Sequence, residues 1–246
     1  MVGSIKKALK QSEVLRAVVQ SVRVLPRRLG QWRSWVSRGR AIRRYLEANE
    51  VRRLHLGAGP NRLDGWLNTD FYPRGADAVF LDVSKPFPLP DGCIDYVYSE
   101  HMIEHLDLAE ARHMLRECRR VLRPDGKIRI ATPGLEAMVA LYGPDRSEDQ
   151  EHYLAWIAER CYPGAGLDGP CLAFNSLFLS WGHRFVFDRA TLRHLLETEG
   201  FSDVRDYPVG QSDAPILRGL ERHGRVIGDE AVGRLETIVV EARRPD

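Results

Sequence analysis

The chain has 246 residues, enough for one full domain and an additional segment, since a domain takes about 150 residues. Hydrophobic residues at 43% and charged residues at 28% are globular proportions, which exclude fibrous and disordered classes. The four cysteines are widely spaced, with no C-x-x-C pair, and predict neither a zinc site nor a disulfide framework. Because no apolar stretch approaches the ~18 residues of a membrane span or forms a signal-peptide core, we expect a reducing, cytoplasmic compartment.

The charge is unevenly distributed along the chain. Residues 1–50 contain twelve Lys and Arg against three Glu, a net charge of +9, whereas the remainder has 24 basic and 31 acidic residues, a net charge of −7. Apolar residues in the first 50 recur at helical spacing, and Pro26 divides them into two runs. The sequence therefore predicts an N-terminal extension of two basic amphipathic helices. The runs contain Ile5, Ala8, Leu9, Leu15, Val18, Val22 and Leu25, then Leu29, Trp32, Val36, Ile42 and Leu46.

Two interpretations of this extension remain open. Basic amphipathic helices with tryptophan are typical of peripheral contact with an anionic membrane, here at its inner face. Alternatively, the helices pack over the mouth of the functional site or form a homodimer contact, with their charges in solvent. No nucleic-acid-binding motif is present, so we expect no nucleic-acid partner.

From residue 51 onward, strand-like and helix-like segments alternate. Short strand patterns at 53–56, 66–70, 78–82 and 94–99 each end near a polar residue, and another follows at 127–131. A helix is predicted from about Asp107, its capping residue, to Leu122, and Pro124-Asp125-Gly126 predicts a turn. This alternation predicts a parallel α/β sheet, in which ligands bind at the carboxyl ends of the strands.

The first strand ends in a glycine pair, Gly57-Ala58-Gly59. The dinucleotide fingerprint requires a third glycine at position 62, which is Arg62 here, and an acid about 20 residues further on. Asp70 instead follows Gly59 by 11 residues, which leaves little room for a helix between. A nicotinamide dehydrogenase is therefore disfavoured, and a ligand without phosphates suits the site better.

Residues 52–133 resemble the class I S-adenosylmethionine-dependent methyltransferases, through the runs LHLGAGPNRLDGWLNTD, FLDVSKPFPLPDGCIDYVYSEHMIEHL and LRECRRVLRPDGKIRIATP. They are most similar to the bacterial small-molecule and glycan-associated, type 11-like branch. The resemblance implies a Rossmann-like seven-stranded sheet with helices on both faces. It places a methyltransferase domain at 51–246, after the helical extension at 1–50, with a substrate-side insertion at 134–188.

The resemblance also implies S-adenosyl-L-methionine as cofactor and assigns its contacts. Gly57 and Gly59 would pass beneath the methionine part, and Asp70 would hold the ribose hydroxyls. The adenine would lie beside Asp82 and Val83, and the methyl donor beside Ser99 and Glu100. One residue departs from the family pattern, because His55 stands where the usual acid precedes the glycines.

The segment His101-Met102-Ile103-Glu104-His105 has more than one interpretation. It matches the H-x-x-E-H zinc-protease pattern, but that pattern belongs within a long helix, whereas this segment follows a strand. Some small-RNA and quinone-pathway O-methyltransferases bind a divalent cation through E-x-x-E-H at this location. That likeness implies His101, Glu104 and His105 as ligands, with His183 completing the shell around a cation such as Mg²⁺. The alternative is that Glu104 and His105 begin the helix and that their side chains satisfy backbone or loop groups without binding a metal.

Two histidines are candidate general bases, since imidazole accepts protons near neutral pH. His101 follows the strand nearest the reactive end of the cofactor, and His183 lies in the 134–188 insertion. Aromatic and polar residues in that insertion suit a saccharide acceptor or a flat aromatic one, although such residues also form ordinary cores. These residues are Tyr142, Tyr153, Trp156, Tyr162, Phe174, Asn175, Phe178, Trp181 and His183.

The sequence thus predicts a methyltransferase that O-methylates a saccharide, polysaccharide or glycolipid precursor by in-line transfer. One alternative is methylation of an aromatic or quinone-like metabolite. The other is a catalytically silent partner subunit that binds the cofactor, since His55 replaces an acid and no base is certain.

Overall fold

The computed structural model describes residues 31, 32, 34–75 and 77–246. Within them, seven strands form one sheet: β1 Arg53–Leu56, β2 Leu67–Asp70, β3 Val79–Phe80, β4 Ile94–Glu100, β5 Leu122–Pro133, β6 Ser202–Tyr207 and β7 Thr237–Arg243. Their order across the sheet is β3-β2-β1-β4-β5-β7-β6. The predicted seven-stranded, Rossmann-like α/β class is confirmed.

The sheet is mixed, whereas the alternating segments predicted a parallel one. β1 to β5 pair in parallel, but β7 lies antiparallel between β5 and β6. The hydrophobic pattern of a strand does not encode its direction, so only the tertiary contacts reveal this reversal.

The turn predicted at residues 124–126 is instead a bulge within β5. Ile94 pairs with Leu122 and Tyr96 pairs with Lys127, so β5 has extra residues across this interval. Asp125 adopts a left-handed conformation with φ +63°. The bulge accommodates the residues that predicted a chain reversal, while the strand continues in the same direction.

The helices are α1 at residues 34–48, α2 Leu108–Val121, α3 Leu135–Ala140, α4 Glu148–Cys161, α5 Pro170–Leu179, α6 Arg189–Thr198, α7 His223–Ile227 and α8 Glu230–Glu236. Short 3₁₀ helices lie at Ile103–His105 and Pro215–Leu217. The start of α2 is as predicted. The Asp107 side chain accepts a hydrogen bond from the Glu110 amide, and the Glu110 side chain accepts one from the Asp107 amide.

One face of the sheet carries the main hydrophobic core. Ile42 of α1, Leu115 of α2 and Leu196 of α6 pack there against strand residues such as Leu54 and Ile130. These side chains are buried, and the burial of so many aliphatic groups is the largest stabilising contribution to this layer.

The opposite face is covered mainly by the segment at residues 208–222. Trp66, Tyr98 and Leu217 form a small buried cluster there. This face is covered by a loop with one 3₁₀ turn, whereas the resemblance predicted helices on both faces of the sheet. No helix separates β1 from β2 among the described residues, because the 57–66 connection is too short to contain a full crossover helix.

A helical cluster lies at the carboxyl edge of the sheet. Met138 of α3, Tyr153 of α4, Leu177 of α5 and Val232 of α8 form its buried core. Much of the 134–188 segment is therefore helical, and it lies beside the strand ends where a ligand is expected.

Helix α1 packs on the β3 edge of the sheet. The Phe80 amide donates a 2.8 Å hydrogen bond to Ser34 Oγ, and the Tyr45 hydroxyl donates one of 2.9 Å to the Arg53 carbonyl. Trp35 and Val36 remain exposed. The first predicted helical run and Pro26 lie outside the described residues. Within the described part of the chain, none of the helices has the length and apolar character needed to cross a bilayer.

Candidate functional site

A cavity of about 260 Å³ lies at the carboxyl ends of β1, β4 and β5. Several residues predicted from the sequence line it together: Gly57, Gly59, Glu100, His101, Glu104, His105 and His183. Four others do not line it: Asp70, Asp82, Val83 and Ser99. The walls also include His55, Asn61, Tyr153, Trp156, Ser176, Trp181, His223 and Glu236.

The two glycines after β1 have different roles. Both have positive φ values, +65° at Gly57 and +50° at Gly59, which strain any residue with a side chain. A Cβ on Gly57 would lie 2.4 Å from Met102 Cγ, so this glycine permits close packing of Met102 against the loop. A Cβ on Gly59 would approach no atom closer than 3.9 Å and would take up space at the cavity edge. Gly59 therefore keeps the backbone open to a ligand.

Asp70 ends β2 and fixes the glycine loop. Its Oδ2 accepts a 2.8 Å hydrogen bond from the Gly59 amide, and its Oδ1 accepts one of 2.7 Å from the Tyr72 amide. The Arg62 guanidinium bonds to the carbonyl oxygens of Gly59 and Arg74. Asp70 thus lies directly behind the loop. Each of its carboxylate oxygens already accepts one backbone amide and can accept a further hydrogen bond through its second lone pair.

Asp82, Val83 and Ser99 lie away from the cavity wall. Asp82 Oδ1 accepts hydrogen bonds from the Ser84 amide and hydroxyl, at 3.0 and 2.7 Å, which form a local turn after β3. Val83 packs against the main core. Ser99 is fully buried, and within the described part of the chain its hydroxyl has no hydrogen-bond partner.

Glu100, the last residue of β4, joins three segments around the cavity. Its Oε1 accepts the backbone amides of Arg222 and His223 at 2.7 and 2.8 Å, and its Oε2 accepts the Asn61 side-chain amide at 3.1 Å. Burial raises its pKa, while the two backbone amides oppose that shift. Glu100 therefore holds the start of α7 against the end of β4.

His101 and Glu104 face each other beneath the cavity. His101 has φ +44°, a left-handed conformation that costs a non-glycine residue free energy. Its Nε2 lies 3.0 Å from Thr237 Oγ1, and its Nδ1 lies 3.5 Å from Glu104 Oε1. Burial, reinforced by neighbouring histidines, lowers the pKa of His101 far below its usual value. His101 is therefore neutral at physiological pH.

The Glu104 carboxyl group is fully buried. Its Oε2 accepts a 2.9 Å hydrogen bond from the Thr132 hydroxyl, whereas its Oε1 has no hydrogen-bond partner among the residues that the structure describes. Burial raises the pKa of Glu104 to about 7. A buried oxygen without a partner, beside a cavity, suits a hydrogen-bond donor or a cation supplied by a ligand.

His105 and His183 lie close to Glu104 on the cavity side. Ligand atoms of Glu104, His105 and His183 lie within 4.8 Å of one another. The His105 and His183 rings are 5.1 Å apart at 66°, and His105 Nδ1 lies 3.3 Å from the Gly182 carbonyl oxygen. A histidine that donates one ring N–H to a carbonyl has its other nitrogen free for a metal. His101 belongs to a different group, with His223 and Glu236.

Sequence reasoning missed two residues that line this cavity, His223 and Glu236. His223 Nε2 lies 3.2 Å from Glu236 Oε1, and the Tyr153 hydroxyl donates a 3.2 Å hydrogen bond to Glu236 Oε2. The His223 ring stacks on that of His101, with centroids 3.5 Å apart and an angle of 10° between the rings. No local motif marks His223 or Glu236, since only the fold brings them to the end of β4.

His55, which replaces the expected acid, is buried and hydrogen-bonded. Its Nδ1 lies 3.1 Å from Asn68 Oδ1, and its ring contacts that of Tyr98 at 5.1 Å. Burial lowers the pKa of His55 to about 4. The residue is therefore a neutral, packed side chain beside the glycine loop.

The described residues fit an adenosyl sulfonium. The open edge at Gly59 leaves room for close approach to the backbone, and the carboxyl groups of Glu100 and Glu104 suit a cationic ligand. The unpartnered Oε1 of Glu104 offers a further acceptor. The opposite wall contains Tyr153, Trp156 and Trp181, which exclude water from one side of the cavity.

Residues 55–130 match the family model described as a methyltransferase domain. This stretch runs from β1 into β5 and includes the glycine loop, Asp70 and the His101–His105 segment. None of the curated protein sequences matches the chain.

Several solved structures resemble the fold. A SAM-dependent methyltransferase from Archaeoglobus fulgidus is 17% identical, with 83% of this chain and 92% of that chain covered and a TM-score of 0.44. An S-adenosylmethionine-dependent methyltransferase from Mesorhizobium loti is 18% identical. The match covers 81% of this chain and 95% of that chain, with a TM-score of 0.44. Haemonchus contortus phosphoethanolamine N-methyltransferase 2, in complex with S-adenosyl-L-methionine, is 15% identical. The match covers 85% of this chain and 53% of that chain, with a TM-score of 0.42. Likeness at this level carries no information on substrate.

Proposed function

We propose that this protein transfers a methyl group from S-adenosyl-L-methionine to an acceptor bound in the cavity. The observation that carries the proposal lies within the matched methyltransferase segment, where the Gly59 amide is hydrogen-bonded to Asp70 at the end of the next strand. In this proposal Gly57 and Gly59 lie beneath the methionine part, and Asp70 accepts the ribose hydroxyls. Asp82 and Val83 adjoin the adenine.

The cofactor supplies an electrophilic methyl carbon attached to a cationic sulfur. The chain's own residues align the acceptor with that carbon and keep water away, which is the main catalytic requirement of an in-line displacement. Glu100 ends β4 beside the reacting groups, with the buried Ser99 directly before it, and Trp156 and Ile157 of α4 form an apolar wall. His101 and His183 line the same cavity, where they orient the acceptor.

We propose a saccharide or glycolipid precursor, methylated on oxygen, as the acceptor. Trp156 and Trp181 offer flat faces, and Ser176 and His183 add polar groups between them, a combination that suits a polyhydroxylated ring. An aromatic or quinone-like acceptor would need the same faces but fewer polar partners. A silent cofactor-binding subunit would have no acceptor at all.

Two measurements on the full chain test the proposal. Calorimetry with S-adenosyl-L-methionine measures cofactor binding, and methyl-labelled cofactor incubated with saccharides, glycolipid precursors and catechols measures transfer. Binding and label in a saccharide are expected. Label in a catechol alone would replace the saccharide by the aromatic alternative. Binding without transfer to any class would favour the silent subunit, and absence of binding would overturn the proposal.

A divalent cation is a separate proposal at the same cavity. Glu104, His105 and His183 would hold it, and its charge would lower the pKa of an acceptor hydroxyl. His101, the other residue predicted for this role, instead places its ring against His223. Calorimetry with Zn²⁺, Mn²⁺ and Mg²⁺ should detect binding that Glu104→Gln abolishes. Unchanged binding in that variant, or no binding of any ion, would refute the site.

We further propose that the basic extension contacts an anionic membrane from the cytoplasmic side. Its charge of +9 and the exposed Trp32 and Trp35 support this localisation. Vesicles containing phosphatidylglycerol should retain the full chain, and Trp32→Ala with Trp35→Ala should weaken retention. Equal retention by neutral phosphatidylcholine vesicles, or a concentration-dependent dimer that the same variants abolish, would favour the packing interpretation.

A further inference from the structure

We infer that His223, oriented by Glu236, is the general base that removes the acceptor's proton. This inference rests on the proposed methyl transfer and assigns its proton-accepting group. Both side chains line the cavity, with His223 24% and Glu236 13% exposed. Neither residue lies in the segment that matches the methyltransferase domain.

The Glu236 side chain determines which nitrogen of His223 carries the proton. Its Oε2 accepts a hydrogen bond from the Tyr153 hydroxyl, and its Oε1 lies 3.2 Å from His223 Nε2. Because a carboxylate oxygen attracts a proton to the ring nitrogen nearest to it, this proximity places the imidazole proton on Nε2. Nδ1 of the neutral ring is then left with a free lone pair, as a general base requires.

The position of His223 is fixed from several directions. Its backbone amide and that of Arg222 donate to Glu100, at the end of β4. Glu221, directly before them, forms a buried 2.6 Å ion pair with Arg129 of β5. The ring itself lies flat on His101. A general base is effective only when its neighbours hold it in place, and these contacts hold His223 at the start of α7.

The stacking also argues against a metal between His101 and His223. A metal lies near the plane of each imidazole that binds it, along the nitrogen lone pair. The two rings are nearly parallel, at 10°, with centroids 3.5 Å apart, so an ion between them would lie out of both planes. The His101, His223 and Glu236 group is therefore better suited to proton transfer than to metal binding.

The proton and electron balance is complete without another reactant. The acceptor oxygen gives its proton to His223 Nδ1 and uses the freed electron pair to bond the methyl carbon. The carbon–sulfur bond breaks, and its electron pair stays on sulfur as a neutral thioether. The resulting imidazolium is stabilised by the Glu236 carboxylate and passes its proton to solvent after the product leaves.

The tautomer of His223 provides the first test, and it needs no acceptor. Nitrogen-15 NMR of the full chain with labelled histidine should show His223 protonated on Nε2, assigned by the loss of its signals in His223→Gln. In Glu236→Gln this preference should disappear, because a side-chain amide can also donate. Glu230→Gln, an exposed change in the same helix, is the matched control. A proton on Nδ1 in the wild type would overturn the inference.

Methyl transfer provides the second test, with labelled cofactor and whichever of the saccharide or catechol probes is methylated. His223→Ala should slow transfer about a hundredfold or more, with cofactor affinity unchanged, and added imidazole should restore part of the rate. His194→Gln, an exposed histidine on α6, is the control. Full activity of His223→Ala would refute the base. Absence of cofactor binding in the wild type would instead refute the proposed function, whatever the NMR result.

Discussion

The backbone amide of Gly59 donates a 2.8 Å hydrogen bond to Asp70 Oδ2, and this bond joins the ends of β1 and β2. The contact couples two assignments that the sequence makes separately. The carboxylate that would bind the ribose also holds the loop beneath the methionine part. Loss of its charge should therefore weaken cofactor binding in two ways.

Asp70→Asn should raise the dissociation constant for S-adenosyl-L-methionine about tenfold or more, equivalent to about 1.4 kcal/mol or more. The amide keeps the size of the side chain but loses the charge-assisted hydrogen bonds. Calorimetry measures the change. Asp64→Asn, an exposed change in the same loop, should leave affinity as it is. Equal affinity in Asp70→Asn would contradict the ribose assignment.

Gly57→Ala should destabilise the fold by about 3 kcal/mol, because a left-handed backbone conformation and an overpacked contact add together. The new Cβ would lie 2.4 Å from Met102 Cγ. Gly92→Ala has nearly the same φ, +62°, but nothing within 4 Å of its Cβ, so it isolates the backbone cost. Urea denaturation measures both variants.

The Met102 clash has its own control. In Gly57→Ala combined with Met102→Ala, the 2.4 Å contact with Met102 Cγ is removed, although the 2.8 Å contact with the Cβ of residue 102 remains. The total loss should therefore be less than the sum of the two single losses. An additive result would show that Met102 Cγ is not the obstacle.

Local patterns predicted the elements from β1 to α2 well. The strand at 53–56 has the bounds of β1, and Asp107 caps α2 through a capping box. Both signals depend on residues close together in the chain. The glycine pair is also evident from the sequence, but its pattern does not indicate that Met102 packs closely against Gly57.

The rest of the site depends on contacts between distant segments. Glu236 lies just before β7, which the sequence cannot orient, and His223 follows a loop without apolar periodicity. Their meeting with His101 is a consequence of β7 inserting antiparallel beside β5. The sequence therefore indicates His101 and His183 as candidate bases, whereas the carboxylate–histidine pair comes from the carboxyl-terminal part of the chain.

Arg129→Met should destabilise the protein by about 3–5 kcal/mol, because it leaves two buried carboxylates without a counter-charge. Arg129 is fully buried and forms 2.6 Å ion pairs with Glu221 and Glu241. Arg243→Met is the matched control, since Arg243 also contacts two carboxylates, but on the exposed surface. Its cost should be much smaller, because solvent screens exposed ion pairs. Denaturation midpoints compare them.

A second comparison checks the cause. Adding Glu221→Gln and Glu241→Gln to Arg129→Met removes the uncompensated charges and should recover part of the lost stability. If the triple variant were no more stable than Arg129→Met alone, packing rather than charge would explain the loss.

His55 should make the fold acid-sensitive over a defined pH range. Its pKa is about 4 in the folded protein, lowered by burial from an ordinary value of 6.5. The unfolded chain therefore binds the proton first, so stability is complete above about pH 6.5 and falls as the pH decreases toward 4. The limit of this contribution is about 3 kcal/mol.

His55→Gln removes the proton-binding group while keeping a donor for Asn68, so its stability should fall less steeply between pH 6.5 and 4. Part of the slope should persist, since burial also lowers the pKa values of His101 and His183. Urea denaturation at a series of pH values measures the difference. His194→Gln, exposed on α6, should follow the wild-type curve. Parallel curves for wild type and His55→Gln would contradict the lowered pKa of His55. They would mean that His55 binds its proton as readily in the folded protein as in the unfolded chain, despite its burial beside Tyr98 and Asn68.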